Sequence, residues 1–378
     1  MNTLKKLLPS GFYDVLPPQA RQETETVHVL LSTFESFGYE QVTPPLMEFE
    51  NTLLAGSGGD LSHKTFRVMD PLSQQMMGFR ADITHQIGRI ALSRLTKSPH
   101  PIRLCYAGRV LLVKAEALRS ERQLYQTGFE LIGTDSWEAD AEVMMLAVES
   151  LKRVGVTPVT LDINIPVLVK RLLAEESLGY ADSAALKEAI SKKDINSIPM
   201  AVKDREAVRA LLNASGPADH ALSVLREKNM PEYVKGFLPD LMRIIERLSS
   251  QLPDTAITID PLESRGHEYY SGFSFSVFAQ GLRHELGRGG RYQLFSDAHE
   301  PWDATGYTLY ITHLMRLVPN DMRPARIALP ASLTPDAIAK WQDDGYITIL
   351  AHEKQLNEIW AKTQGCRYWL DNGNMKEI

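Results

Sequence analysis

Glu130 lies in FELIG, an otherwise apolar run, and a carboxylate carried inward on such a strand must find a partner. That requirement favours a pocket. The other residues with chemical potential admit plainer roles. Asp82, in RADIT, either binds something or caps the helix that starts near Ile83. Arg265, in SRGHEYY, has Glu263 and Glu268 within reach as ion-pair partners, and of Tyr269 and Tyr270, ahead of an apolar strand, one is read as core. GRGGRY reads alone as a tight β-turn or an anion nest. His85, His267, His284 and His313 have no metal-binding spacing, and Cys105 and Cys366 form neither a CxxC nor a zinc pattern, so no metal is expected.

Elements must place these residues. With 378 residues the chain exceeds what one core organises, and 44% hydrophobic content is that of a soluble globular protein. A net charge of −6 disfavours a polyanionic partner. No apolar window approaches a signal peptide or a membrane span, so a cytoplasmic setting is expected. After the Pro-rich entry PSGFYDVLPP, Val27, Leu30, Leu31, Phe34 and Phe37 recur at helical spacing over residues 20 to 37, and Gly38 ends the helix. YEQVTPPLMEF is a strand broken by Pro44 and Pro45, which suit an edge or subunit boundary. Residues 55 to 63 read as a mobile loop, and KTFRVMDPLSQQMMGFR as a hairpin turning at Asp70-Pro71.

A helix from Ile83 to Leu95, strands Ile102 to Val113 and Gln123 to Ile132 around a charged loop, and a helix from Ala139 to Val154 follow. Next comes TPVTLDIN, with Val159, Leu161 and Ile163 on one face. Residues 166 to 250 are helical in pattern, a unit or insertion, after which FSFSV and LRHELGRGGRY pair as antiparallel strands. Hairpin signals make the fold α+β, with a boundary near residue 322 and a βαβαβ rhythm beyond it. Seven Lys/Arg against eight Asp/Glu from Asp321 onward leave that last part without an RNA-binding footprint.

Five ordered segments, GYEQVTPPLMEFE, RADITHQIGRIA, RLCYAGRVLLVKAEALRSERQLYQTGFELIG, ESRGHEYYSGFSFSVF and LGRGGRY, resemble the histidyl-tRNA synthetase family of class II aminoacyl-tRNA synthetases over residues 8 to 320. The resemblance implies a six- or seven-stranded antiparallel sheet flanked by helices, dimeric through the segment around Pro45. It divides the chain into a synthetase-like domain, 1–322, with a helical insertion at about 166–250, and an α/β remnant, 323–378, of an anticodon-binding domain. Two departures matter. Synthetases grip ATP phosphates with an arginine and a glutamate where this chain has Leu112 and Lys114. Losing one such preorganised stabiliser costs roughly 3 kcal/mol in a transition state. The segment GYTLYITHLMRL resembles a glycine-rich helix whose arginine stacks on adenine, yet carries His313 at that place and Tyr310 where glycine is expected.

The implied amino-acid pocket is largely kept. Asp82 and Thr84 stand at the ammonium position, with Asp82 shorter than the synthetase glutamate. Gln126, Glu130, Arg265, Tyr269 and Tyr270 stand at side-chain and carboxylate positions, and Arg122 is carried over with them. Carboxylates suit an ammonium and an imidazole N–H, and a guanidinium suits a carboxylate. A histidine pocket beside a damaged ATP site is similar to the regulatory-subunit family of ATP phosphoribosyltransferase. That likeness implies a non-catalytic chain without a cofactor, partnered by the short catalytic subunit in the first step of histidine biosynthesis, with histidine as ligand and no tRNA or membrane partner. The alternative is an active histidyl-tRNA synthetase.

Overall fold

The computed structural model describes residues 8–55, 61–115, 120–176, 178–227, 230–263, 269–296, 299–319, 324–352 and 355–378. Arg265 and His267, Arg119 and part of the 55–63 loop lie outside them. The chain folds as two units, Met1–Val318 and Pro319–Ile378.

The first unit is built on a nine-stranded sheet. In spatial order its strands are Glu40–Gln41, Ile102–Leu111, Gln123–Ile132, His299–Tyr310, Gly287–Ser296, Ser274–Ala279, Val159–Asn164, Ala256–Asp260 and Gly216–Pro217. Hairpin chemistry makes the middle antiparallel. Six or seven wholly antiparallel strands were expected; two parallel pairs, Glu40–Gln41 with Ile102–Leu111 and Val159–Asn164 with Ala256–Asp260, extend the sheet at its flanks. The second pair follows from the helical stretch, which leaves one strand and returns to the start of its neighbour, a crossover that only parallel pairing accommodates. Gly216–Pro217, inside that stretch, contributes the far edge.

Alternation along the strands gives the sheet two apolar faces. Odd-numbered Cys105, Phe129 and Leu131 pack on helix Gln19–Ser36, through Val27, Leu30 and Phe34, and on helix Trp137–Arg153, through Val143, Met144 and Leu151. Even-numbered Leu104, Tyr106, Val110, Leu124 and Ile132 meet Ile83, Ile87 and Ala91 of helix Thr84–Arg94 and its approach. The long helix starts two residues earlier than its apolar pattern, because Ser136 accepts from the Ala139 N–H and caps it.

GRGGRY is a central strand, neither turn nor nest. Its glycines serve close packing: a Cβ on Gly289 would run into the Gly306 carbonyl and the Phe275 ring. Arg291 leaves this strand to bond Asp140 and the Thr134 and Ser136 carbonyls, tying the sheet to the helix entry. GYTLYITHLMRL is strand through Tyr310 and helical only at Ile311–Leu314, since its first residues pair with Gln126–Glu130. The three short strands Met47–Phe49, Arg67–Met69 and Met76–Phe79 form a separate sheet, its turn held by Asp70 accepting from Leu72 and Ser73.

In the second unit Arg326–Pro330 lies parallel to both Ile347–Ala351 and Tyr368–Asp371, with helices Pro335–Asp343 and Glu358–Thr363 between them in sequence. A final strand, Asn374–Glu377, turns back at Asn372-Gly373, both at positive φ. The Asn-Gly pair is the signal for this hairpin that pattern reading passes over.

Candidate amino-acid site

Glu130 sits in the middle of the Gln123–Ile132 strand, directly opposite Gly306 of one neighbour and Leu104 of the other. Its parity turns it to the face of helix Thr84–Arg94, where it is buried. One carboxylate oxygen accepts from the Tyr292 hydroxyl (2.9 Å), the other from Tyr106 (3.3 Å). The Tyr106 hydroxyl also shares hydrogen bonds with Thr308 (2.8 Å) and Thr84 (3.2 Å). Burial pushes the Glu130 carboxyl up to about 8, the Tyr292 hydrogen bond opposes this, and the charge of Asp82 adds to it. A carboxylate so placed is short of positive charge. A ligand N–H that brings a cation supplies it.

Gln126, four residues nearer the hairpin mouth on the same face, accepts from the Ile83 N–H (2.9 Å) and donates to Asp82 (3.1 Å). The other Asp82 oxygen accepts the Thr84 N–H at 2.7 Å. The cap position itself is Ile83, without a side-chain cap bond, so Asp82 holds the helix entry through the Thr84 N–H rather than capping it, and it also faces the cluster. Tyr270 is buried with Tyr292 in the apolar layer; Tyr269, 52% exposed, lies over it with ring centroids 4.0 Å apart. The structure thus brings together Asp82, Thr84, Gln126, Glu130, Tyr269 and Tyr270. Arg122 is engaged elsewhere: its guanidinium donates to the Leu112 and Ser10 carbonyls and sits between the Phe12 and Phe66 rings. It braces the hairpin mouth against the N-terminal segment, so its carried-over ligand role has no support in these contacts. Arg265 lies outside the described residues.

Residues that sequence reading missed complete the cluster. Tyr106, Tyr292 and Thr308 share Glu130's face, a parity readable from the strands once their register is known. Arg288 donates to Glu285 (2.5 Å) and lies within electrostatic reach of Tyr270 and Tyr310, which places a guanidinium near the tyrosines. Gly306 is a steric necessity, because a Cβ there would fall inside the Glu130 carboxylate. Gly306→Ala is expected to displace Glu130 and weaken binding at this site about 10- to 100-fold, as loss of one or two charge-assisted bonds would. Calorimetry checks it, and unchanged affinity would place the ligand elsewhere.

The positions at which a synthetase grips nucleotide look different. Leu112 is 6% exposed and packs with Val110, Leu124 and Tyr270, while Lys114 is exposed. His313 is buried, edge-on to His284 with centroids 4.6 Å apart and 5.9 Å from Tyr310. Leu112 and His313 are the residues at the two positions where the synthetase resemblance implies guanidinium groups. Among the described residues no group of three His, Cys, Asp or Glu could hold a metal ion, and no helix is long and apolar enough to cross a membrane.

The chain has relatives among known proteins. Residues 11–314 match the histidyl-tRNA synthetase family. The ATP phosphoribosyltransferase regulatory subunit of Paramagnetospirillum magneticum is 42% identical, covering 99% of this chain and 98% of its own, and that of Rhodospirillum centenum 41%, covering 98% and 96%. A solved ATP phosphoribosyltransferase regulatory subunit/histidyl-tRNA synthetase from Bacillus halodurans superposes with a TM-score of 0.80 at 23% identity, over 96% of this chain and 97% of that one. With relatives of 41–42% identity over nearly its whole length and a class II synthetase-like sheet, the chain belongs to the ATP phosphoribosyltransferase regulatory-subunit family.

Proposed function

We propose that this chain is a non-catalytic subunit that binds histidine at the Glu130 cluster and passes the occupancy of that site to a short catalytic ATP phosphoribosyltransferase subunit. The observation that carries the reading is the contrast on one sheet face. Leu112 is packed into the core where a phosphate-gripping arginine would stand, and Glu130 retains a full set of hydroxyl partners nearby. A site that holds an amino acid but cannot grip a triphosphate has no route to adenylate chemistry. It can still shift an equilibrium, by binding one state of an assembly better than another. A solved two-component ATP phosphoribosyl transferase complex from Thermotoga maritima shares the fold with a TM-score of 0.59 at 20% identity, which supports testing this chain in such a pair.

The expected result is that the short catalytic subunit changes its rate when this chain is added, and that histidine alters that change. No effect in any combination overturns the reading. The competing reading, an active histidyl-tRNA synthetase, predicts histidine-dependent exchange of pyrophosphate into ATP, and none is expected here.

Self-association belongs to the same proposal. Leu46, Phe49, Val68, Met69, Leu72 and Met76 are exposed on and beside the small three-stranded sheet that follows Pro44 and Pro45. An apolar patch of this kind is a natural subunit contact. Sedimentation should find a dimer, and Met69→Asp with Leu72→Asp should yield monomers; an unchanged dimer would move the contact elsewhere.

A further inference from the structure

The hairpin that carries the Glu130 cluster on its even-numbered residues has a cavity on its other face. Arg109 and Gln123, both odd-numbered, form its floor. The Pro-rich entry supplies Tyr13, Asp14, Val15 and Leu16, helix Gln19–Ser36 supplies Glu23, and Thr312 and Met315 close one side. It encloses about 330 Å³, room for a small ligand or one long side chain. The amino-acid site does not use this cavity, and the cavity's chemistry does not depend on the function proposed for that site.

Its charges select one sign. Arg109 is the cation in the lining, and it is fully committed: its guanidinium pairs with buried Glu23 and lies 4.4 Å over the Tyr125 ring. It cannot turn toward an incoming anion without leaving both. Asp14, by contrast, has no ion-pair or hydrogen-bond partner among the described residues. Beside the cavity a second pair, Glu121 with Arg316 (3.1 Å), is internally balanced. Burial chiefly, then Glu121 and Glu23, hold the Tyr13 hydroxyl above its ordinary value, with Arg109 and Arg316 opposing, so the acids prevail where Tyr13 stands. Val15, Leu16 and Met315 provide the apolar wall that a hydrocarbon stem needs.

We propose that this cavity binds a small organic cation with an apolar stem, an alkylguanidinium or alkylammonium, its head between Asp14 and Glu23 and its stem along Leu16 and Met315. Such a group can arrive free or as the arginine or lysine side chain of a protein. The test follows the Met315 methyl by NMR in the full chain, the signal being assigned with Met315→Leu. n-Butylguanidinium should shift it saturably, whereas n-butanol and n-butylsulfonate, with the same stem but no positive charge, should not. Asp14→Asn, at an exposed position that the fold does not use, should weaken the effect several-fold, and Glu23→Gln should do the same while keeping the side chain's shape. A blocked Gly-Ser-Arg-Ser-Gly peptide, with its citrulline counterpart as control, separates the two sources. Response to the peptide alone assigns the cavity to a protein side chain, and response to the free cation alone to a small ligand. No saturable shift with either, or equal shifts with the sulfonate, overturns the proposal.

Discussion

Glu130→Ala is expected to weaken histidine binding by roughly 3 kcal/mol, about 100-fold, because it removes a buried charged acceptor and leaves the Tyr106 and Tyr292 hydroxyls facing an empty space. Calorimetry on the folded protein reads this directly, and wild-type affinity in the variant would sink the assignment. The same residue leaves a mark on stability in the absence of ligand. An unfolded glutamate titrates near 4.5, whereas burial pushes Glu130 up to about 8 in the native protein. The native state therefore binds more protons than the unfolded state between those values. Its contribution to stability is fully present below about 4.5 and is lost as pH rises toward about 8, with a slope of up to about 1.4 kcal/mol per pH unit. Glu130→Gln, which cannot ionise, should flatten that part of the profile in urea titrations. An identical slope in the two proteins would show that other groups set it.

Arg291→Ala should be the most damaging single change to the fold, at about 3 to 5 kcal/mol, since it deletes one partner of a buried ion pair. Asp140, pushed up to about 6 by burial against the opposing pull of Arg291, would have no cation beside it, and the Thr134 and Ser136 carbonyls would lose their donor. Denaturant unfolding measures the loss. Asp140→Asn in the same chain should recover part of it, because the stranded charge is gone. A loss below about 1 kcal/mol, the scale of a surface pair, would mean that water reaches the site.

Much of this is legible in the residues. The apolar spacing of Val27, Leu30 and Phe34 marks a helix with one buried stripe, and the structure has it from Gln19 to Ser36. Glu130 in FELIG asks for partners, and the structure supplies two tyrosines. Those partners are not legible, because Tyr106, Tyr292 and Thr308 come from three different strands and meet only through register, which a one-residue slip would reverse. Arg122 illustrates the opposite failure. Its type and position suit a ligand contact, yet its guanidinium is held by the Leu112 and Ser10 carbonyls and lies over the Phe12 and Phe66 rings. Taken alone GRGGRY suits a turn or nest, because glycines dominate turns, but the antiparallel strand read over LRHELGRGGRY is the one found, and in a crowded sheet centre the glycines serve by the bulk they lack.

The parallel pairing of Val159–Asn164 with Ala256–Asp260 limits how the gene can be shortened. The two strands run the same way, so a chain trimmed of its helical block cannot be rejoined by a tight turn. A replacement tether would have to climb back the whole height of the sheet, on the order of 16 to 20 Å at about 3.3 Å per residue. The block also donates Gly216–Pro217, which shields the outer side of Ala256–Asp260. Excision would bare that strand's hydrogen-bonding groups and invite stacking between molecules.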